Sequence, residues 1–185
     1  GVEQVGTNCG LIGKNAAVVV DGIAYWMTAK GFLSYDGTVK TLPCAVEDEV
    51  FDNFDTTKGQ QVTAGLNSLF TEITWWYPAN SDFSNKAVSY NYAESGEVPG
   101  GVWALSTEAR TSWMDSKVYE KPYATKFDTT GTGSFPTILG ESGLGQTKYF
   151  QHEVGTDQRN EDGSVTTITS SLQSYDFDLQ GEEGT

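Results

Sequence analysis

The chain has 185 residues, and 25 acidic against 11 basic side chains give it a formal net charge of −14. So acidic a chain repels phosphate backbones, and we do not expect it to bind nucleic acid by counterion release. The acidity indicates a soluble surface or, alternatively, a surface past which a polyanion slides without adhering. No run of about 18 apolar residues occurs, which excludes a transmembrane helix.

Residues 16–44 contain the clearest strand pattern of the sequence. Four short apolar runs lie at 16–20, 23–28, 32–35 and 39–42. Asp21-Gly22 and Asp36-Gly37 stand between runs, and Asp-Gly is typical of tight hairpins because glycine adopts the positive φ that they need. The pattern predicts a four-stranded antiparallel meander. A single sheet of this kind needs a neighbour, as the blades of a β-propeller do.

The next segments predict a short helix and a second sheet. Val46, Val50 and Phe54 lie at helical spacing with acids between them, which favours one amphipathic helix over residues 45–54, ending at 56–59. The candidate strands of the second sheet are residues 61–65, 69–77, 86–92 and 101–105.

The remaining sequence is less regular. Strands of a third sheet are predicted at residues 109–115, 122–127 and 147–154, and residues 164–179 open a fourth sheet. Residues 128–146 are rich in Gly, Ser and Thr, and a loop of this length usually marks a functional excursion.

The predicted fold class is all-β: a β-propeller-like array of antiparallel four-stranded sheets with one short connecting helix. Residues 1–185 are interpreted as a segment of a larger β-propeller domain, with approximate sheets at 16–44, 61–105, 109–154 and the start of another at 164–179. The first residue is Gly1 and residues 180–185 are polar and acidic. We therefore expect a segment of a longer polypeptide, or a processed one.

Residues suited to catalysis are few. The single histidine, His152, stands next to Glu153, and neither GxSxG nor HExxH occurs, so a partly buried strand histidine is expected. Glu72 beside Trp75 and Trp76 is the best candidate for glycoside hydrolysis, because aromatic platforms accompany sugar sites. Packing between sheets is the commoner reason for aromatics at such strand positions.

No cofactor or metal site is predicted. Asp176 and Asp178 alternate on one candidate strand, but EF-hand spacing is lacking, and no glycine-rich phosphate loop opens a helix. Cys9 and Cys44 form no CxxC motif and are expected to be small buried hydrophobes in a reduced protein, with a Cys9–Cys44 bridge left open.

Several motifs together carry a family resemblance. GLIGKNAAVVVDGIAYWMTAKGFLSYDGTVKTLPC at residues 10–44 resembles the central region of tail proteins from short-tailed bacteriophages. Five further segments resemble later blocks of that family in the same order: VFDNF at 50–54, AGLNSLFTEITWWYP at 64–78, AVSYNY at 87–92, RTSWMD at 110–115 and YFQHEVG at 149–155. Residues 94–102 and 128–146 depart from the family pattern and predict loops that face neighbours or the lumen.

The resemblance implies a tail nozzle, also called tail tubular protein B or tail hub stabilisation protein. Such proteins contain a β-propeller, and in the family six copies form a ring below the portal and the tail adaptor protein, with tail fibres or spikes nearby. The ring is a conduit that retains genomic DNA and lets it leave without sequence-specific binding. The implied location is the virion tail, after assembly in the host cytoplasm, and the implied role is structural rather than enzymatic.

The predicted site residues are therefore structural. Six aromatic side chains are predicted to pack between sheets: Trp26, Tyr35, Trp75, Trp76, Tyr90 and Trp113. Three glycines are predicted to set turns: Gly22, Gly37 and Gly163. The alternative function is a carbohydrate- or receptor-binding β-propeller tail component. Its discriminator is whether Trp75 or Trp76 lies exposed in a groove, since a buried pair removes the sugar platform. A glycosidase, the third class, requires two carboxylates about 5–10 Å apart beside that groove.

Overall fold

A computed structural model describes residues 6–116, 118–128, 146–155, 157–159 and 164–167. These residues form antiparallel sheets joined by short helices and turns, which confirms the all-β class. The chain divides into two compact units, Gly1–Glu153 and Val154–Thr185. None of the helices in the described part of the chain has the length and apolar character needed to span a membrane.

The first sheet is the predicted meander. Its strands are paired in the order β1-β2-β3-β4: β1 (Ala17–Val20), β2 (Ile23–Met27), β3 (Phe32–Tyr35) and β4 (Val39–Leu42). Gly22 and Gly37 have φ angles of 80° and 117°, which a side chain would make unfavourable. Asp-Gly at both turns thus fixes the register in which the apolar runs pair.

The predicted helix over 45–54 is much shorter in the structure. Helix α1 spans only Glu47–Phe51, with Val50 buried beneath it. The helix ends early because Phe54 pairs with Ala79 in an isolated β-bridge. A 3-10 helix at Thr56–Gln61, capped by the Asp55 side chain, replaces the predicted simple ending at 56–59.

The second sheet is also a four-stranded meander, with shifted boundaries. Its strands, paired in chain order, are β5 (Thr63–Asn67), β6 (Glu72–Tyr77), β7 (Lys86–Asn91) and β8 (Trp103–Ser106), and a 3-10 helix at Ser95–Glu97 lies before β8. The prediction that a strand begins at residue 69 is wrong. Leu69 and Phe70 lie exposed in the β5–β6 turn, where Thr71 takes a φ of 56°.

The third sheet has three strands among the described residues. They are β9 (Ser112–Met114), β10 (Tyr123–Asp128) and β11 (Gln146–Gln151), in the order β11-β10-β9. The predicted strands at 109–115 and 147–154 are shortened. At the end of β11, the His152 amide donates to Pro122 O and Glu153 takes a φ of 57°, which turns the chain away from the sheet.

The second compact unit contains one described hairpin. In it β12 (Asp157–Arg159) pairs antiparallel with β13 (Val165–Thr167), which lies in the predicted fourth sheet at 164–179. The rest of that prediction, the turn at Gly163 and most of the predicted loop at 128–146 lie outside the described residues.

The three sheets of the first unit follow one another with their first strands side by side. β1 lies beside β5, and β5 lies beside β9. Between the first two sheets, Asn15 and Thr63 form a parallel bridge, and the Ala64 amide donates to Asn15 O over 2.7 Å. Between the next two, Thr63 Oγ1 donates to Thr111 O over 3.2 Å. The second sheet is therefore enclosed between the first and the third.

Candidate functional site

Clusters of aromatic and polar side chains lie on both faces of the second sheet. Trp75 and Trp76 are adjacent in β6, so the two-residue period of a strand directs their rings to opposite faces. Trp75 contacts the first sheet through Phe32, and Trp76 contacts the third sheet through Trp113. Both tryptophans are almost completely buried.

The interface between the first and second sheets is an aromatic core. Phe32 of β3 lies 4.8 Å, between ring centroids, from both Trp75 and Trp103. Tyr90 lies 4.7 Å from Trp103. The Trp75 indole N–H donates to Ala16 O over 3.1 Å, so its only polar atom is paired. This interface is held together by ring packing and backbone hydrogen bonds.

The ring of Trp113 lies in the interface between the second and third sheets. Trp113 of β9 stacks on Trp76 at 5.1 Å, with 30° between the ring planes, and its indole N–H donates to Leu66 O over 2.7 Å. A Cβ placed on Gly65 of β5 would lie 2.5 Å from the Trp113 ring. Glycine at this position therefore makes room for the indole directly against the backbone.

A charged group of three side chains lies beside Trp113; we call Glu108, Arg110 and His152 the His152 cluster. Arg110 Nε donates to His152 Nε2 over 2.8 Å, and Arg110 Nη2 donates to Glu108 Oε1 over 2.8 Å. The His152 ring lies 4.6 Å from Trp113. The cluster thus joins the segment before β9 to the end of β11.

Aromatic rings and a backbone carbonyl complete the surroundings of the cluster. The Trp76 indole N–H donates to Glu108 Oε2 over 3.2 Å, which ties the cluster to β6. The Arg110 guanidinium lies 4.3 Å from the centre of the Phe150 ring, a cation–π arrangement, and its Nη1 donates to Ala109 O. Each member of the cluster therefore has a polar partner.

The hydrogen bonds define the protonation state of the cluster. Arginine Nε always carries a hydrogen, so His152 Nε2 must accept, and the neutral imidazole then has its proton on Nδ1. Burial, reinforced by the Arg110 charge, lowers the pKa of His152, while Glu108 acts in the opposite direction. Burial also lowers the pKa of Arg110, and Glu108 opposes this shift. The arrangement favours a neutral histidine bonded to a charged arginine.

The predicted packing residues fall into two groups. Trp75, Trp76 and Tyr90 are buried between sheets, and Trp113 is half-buried against Trp76. Trp26 and Tyr35 are half-buried on the other face of the first sheet, away from the second sheet. The Trp26 indole N–H donates to Cys9 O over 3.0 Å, so this ring packs under the N-terminal loop.

The sugar platform considered from the sequence is not formed by the two tryptophans, because both are buried. Glu72, the candidate carboxylate, has its pKa raised by burial and by the nearby charges of Glu153 and Glu94. Glu153 Oε1 accepts a hydrogen bond from the Asn67 side chain over 3.0 Å. This end of the second sheet is acidic, and it has no exposed tryptophan from the predicted pair beside it.

The cysteines and other polar groups present no metal centre in the described part of the chain, where no group of three or more His, Cys, Asp or Glu side chains converges. Cys9 and Cys44 are both free, in agreement with the prediction of reduced thiols, and both are half-buried, where buried side chains were predicted. Burial raises the pKa of the Cys44 thiol to about 11, so it stays protonated at neutral pH.

A small cavity lies between α1 and the end of β6. Its volume is about 120 Å³, and Glu49, Asn53, Tyr77, Asn80 and Lys86 are among its lining residues. Burial, with a contribution from Glu49, raises the pKa of Tyr77 to about 12. A polar cavity of this size suits a few ordered water molecules.

The outer face of the third sheet carries exposed tyrosines. Tyr149 is 67% exposed and stacks on Tyr123 at 5.3 Å, and Tyr119 lies 5.3 Å from Tyr123. Hydroxyl groups lie on the same sheet, where Ser112 Oγ and Thr125 Oγ1 are 2.7 Å apart. The sequence contains a signal for this face, since tyrosine, threonine and phenylalanine alternate in β10.

Two members of the His152 cluster, Glu108 and Arg110, were not predicted from the sequence. Their pairing with a histidine 42 residues later depends on how the third sheet folds back. The nearest local signal is the placement of Arg110 three residues before Trp113, next to a strand with a buried aromatic partner.

Comparison of the sequence with known protein families and with curated proteins finds no match in either case.

Proposed function

We propose that this chain is a structural component of the tail of a short-tailed phage, a tail nozzle or tail tube protein without enzymatic activity. The observation that supports it best is the succession of antiparallel meanders whose first strands, β1, β5 and β9, lie side by side. Successive blades of a β-propeller have this relation, with the first strand of each blade near the axis. The ordered motifs described above link this plan to the nozzle family.

The outer face of the first sheet supports an array with further blades. Val19 is 66% exposed, and Trp26, Leu33 and Tyr35 lie half-buried on the same side of the sheet. An apolar face of this kind is typically covered by another sheet. In our proposal the cover is another blade, from the same polypeptide or from a neighbouring copy in the ring.

The charge of the chain suits a conduit for DNA. With 25 acidic side chains against 11 basic ones, the surface repels a polyanion, so DNA passes the lumen without adhering. In the proposed assembly, copies of the chain form a ring, the tail adaptor protein and the fibres or spikes contact it, and the genome moves through it. The location is the virion tail.

Immuno-electron microscopy of phage particles tests this proposal. Antibodies raised against the purified chain are expected to label the distal tail of intact particles or of disassembled tails. Label on peripheral fibres instead would favour the receptor-binding alternative. A chain that the antibody detects in an infected lysate, but in neither intact nor disassembled particles, is not a virion component, and the proposal fails.

Charge reversal tests the conduit separately. Glu47, Asp48 and Glu49 of α1 are exposed acids. Each is replaced by lysine and, as a control that removes the negative charge without reversing it, by glutamine or asparagine. The other exposed acidic residues are replaced in the same two ways, one at a time. Lysine at a lumen-facing position should slow DNA ejection at low salt, with the effect shrinking as salt increases. If ejection is unchanged by every reversal at every salt concentration, the charge of the chain has no role in the passage of DNA.

The second candidate, a carbohydrate- or receptor-binding tail component, is favoured by the exposed tyrosines of the third sheet. Tyr149 presents an accessible ring beside Tyr123 and the hydroxyl groups of Ser112 and Thr125. Such a surface stacks on sugar rings and bonds to their hydroxyls. Binding to host-surface polysaccharide that is lost in Tyr149→Ala would support this function, whereas a chain that binds none would count against it.

A further inference from the structure

The His152 cluster has a property that a purely apolar sheet contact lacks, because one of its hydrogen bonds is compatible with only one protonation state. Arg110 Nε and His152 Nε2 are 2.8 Å apart, and the arginine supplies the hydrogen. Adding a proton to Nε2 would set two N–H donors against each other with no acceptor between them. It would also place two positive charges in direct contact.

Glu108 offers the protonated histidine another partner. Its Oε1 lies 3.7 Å from His152 Nδ1, beyond ordinary hydrogen-bonding distance but close enough to attract an imidazolium ion. The same oxygen accepts from Arg110 Nη2 over 2.8 Å. Protonation therefore weakens the Arg110–His152 bond and makes the two cations compete for one carboxylate.

The charged groups around His152 are few in the described residues. Glu108 and Arg110 approach it from the segment before β9, while Trp113 of β9 and Pro122 before β10 are uncharged. Glu153, the next residue in the chain, accepts from Asn67 of β5 instead. Arg110 is the basic group whose charge acts on the imidazole and whose Nε donates to it.

The cluster lies where the third sheet meets the second. Trp113 touches the His152 ring on one side and stacks on Trp76 on the other, and the Trp76 indole N–H donates to Glu108 Oε2. Arg110 also holds Phe150 of β11 under its guanidinium. A change at His152 therefore reaches the second sheet through Trp113 and Glu108, both of which contact Trp76.

We propose that Glu108, Arg110 and His152 form an acid-sensitive latch, in which protonation of His152 breaks its bond to Arg110 and loosens the third sheet from the second. This role goes beyond a static structural function. It requires only the geometry of the first unit and holds whether or not the chain is a phage tail component.

The latch can be observed through side chains already present. His152 is the only histidine, so its titration by NMR is free of overlap, and the chain has five tryptophan indole N–H groups as local reporters. Nitrogen-15 histidine spectra near neutral pH should show the proton on Nδ1 and a bare Nε2. On acidification, the Trp76 and Trp113 indole signals should shift or broaden with the His152 midpoint, while those of Trp75 and Trp103 should not.

His152→Gln is the matched variant. A glutamine side-chain oxygen can accept from Arg110 Nε as the imidazole does, but it does not titrate, so the acid response of Trp76 and Trp113 should disappear. We call the latch closed when Arg110 is bonded to His152 and open when this bond is broken. In the wild type, the ratio of open to closed molecules should increase about tenfold for each unit by which the pH falls, between the pKa of free imidazole and the pKa of His152 in the closed form.

Two results would overturn the proposal. One is a wild-type His152 that carries its proton on Nε2 near neutral pH or titrates above the ordinary value, and this result does not depend on whether the variant folds. The other is an acid response of Trp76 and Trp113 that is the same in the wild type and in His152→Gln.

Discussion

The two interfaces of the second sheet are built differently although they start from neighbouring residues. Trp75 enters a set of rings from β3, β7 and β8, with its indole N–H bonded to a backbone carbonyl. Among the residues that the structure describes, Trp76 has one ring partner, Trp113, and its indole N–H is bonded to a carboxylate. One interface thus depends on ring packing, and the other depends on a ring plus a charged cluster.

The difference follows from what each face of the second sheet presents. The face toward the first sheet carries Ile73, Tyr90 and Trp103, which are bulky and apolar. The face toward the third sheet carries Gly65 and the hydroxyl pair Thr74 and Ser89, whose oxygens are 2.7 Å apart. A small, polar face cannot form a wide aromatic core, so the third sheet is attached through one stacked pair of rings and several polar contacts. Strand β6 thus contributes to an aromatic interface on one face and, in our proposal, to an acid-responsive interface on the other.

Removing the ring at the centre of the aromatic interface should have the largest effect. Trp75→Ala leaves a cavity next to Phe32 and removes the hydrogen bond to Ala16 O, so we expect a loss of about 3–5 kcal/mol in the free energy of unfolding. Urea unfolding followed by circular dichroism measures it. Trp26→Ala is the control, because this tryptophan is half-buried on the outer face and should cost less. Equal losses of unfolding free energy in the two variants would contradict the assignment of Trp75 to the core and of Trp26 to the outer face.

A methyl group added to Gly65 of β5 would displace the Trp113 ring, which lies directly against the backbone there. Gly65→Ala places a carbon within 2.5 Å of the indole, so the ring must move and the stacking on Trp76 is disturbed. We expect a loss of about 1–3 kcal/mol, as in overpacked cores, with a changed near-ultraviolet circular dichroism spectrum. Gly10→Ala is the control, since no atom lies within 4 Å of its added carbon. An unchanged Gly65→Ala protein would contradict the observed contact.

The charged interface should respond to acid in a direction that the pKa of His152 fixes. Because burial lowers this pKa, the unfolded chain takes up the proton first as the pH falls below about 6.5, and the contribution of His152 to stability decreases until the folded pKa is passed. Glu72 acts in the opposite sense, since burial raises its pKa and the folded chain takes up that proton first. The quantity to measure is therefore the difference in unfolding free energy between the wild type and His152→Gln across pH.

Glu108→Gln sharpens this prediction. Glu108 raises the pKa of His152, so removing its charge should lower that pKa further and shift the NMR titration of the single histidine to more acidic values. Glu47→Gln on α1 removes the same charge at an exposed position and should leave the titration unchanged. A titration shifted upwards by Glu108→Gln would contradict the assigned electrostatics.

The smallest effect on stability is expected on the outer face of the third sheet. Tyr149 is 67% exposed, so Tyr149→Ala should leave the thermal midpoint within error of the wild type. Any loss of binding in this variant would then report a contact with a partner rather than a folding defect. A marked drop in the thermal midpoint would place Tyr149 in a packed interface instead.

The parts of the fold that the sequence predicts are those with strong local rules. Asp21-Gly22 and Asp36-Gly37 specify two hairpins, and the apolar runs around them give the first sheet its four strands. The beginning of β6 was misplaced because Leu69 and Phe70 continue an apolar alternation into a turn. The predicted helix end at residue 54 is wrong, because Phe54 forms a β-bridge with Ala79, a residue far away in sequence.

The candidate site shows the same limit more strongly. Periodicity predicts that Trp75 and Trp76 face opposite ways, since neighbouring residues in a strand alternate. It does not predict what each ring meets. Arg110 and His152 are brought together by the return of β11 along β10, and no local pattern encodes the 2.8 Å distance between their nitrogens.

Hydrogen–deuterium exchange of the backbone amides as a function of pH compares the two interfaces most directly. At each pH the wild type is referenced to His152→Gln, so that the intrinsic pH dependence of exchange cancels. We expect the amides of β9 and of the end of β11 to lose protection in the wild type alone as His152 becomes protonated, while those of β2, β3 and β6 keep theirs. Equal loss of protection in all three sheets, or the same loss in both proteins, would contradict the distinction between a rigid interface and a responsive one.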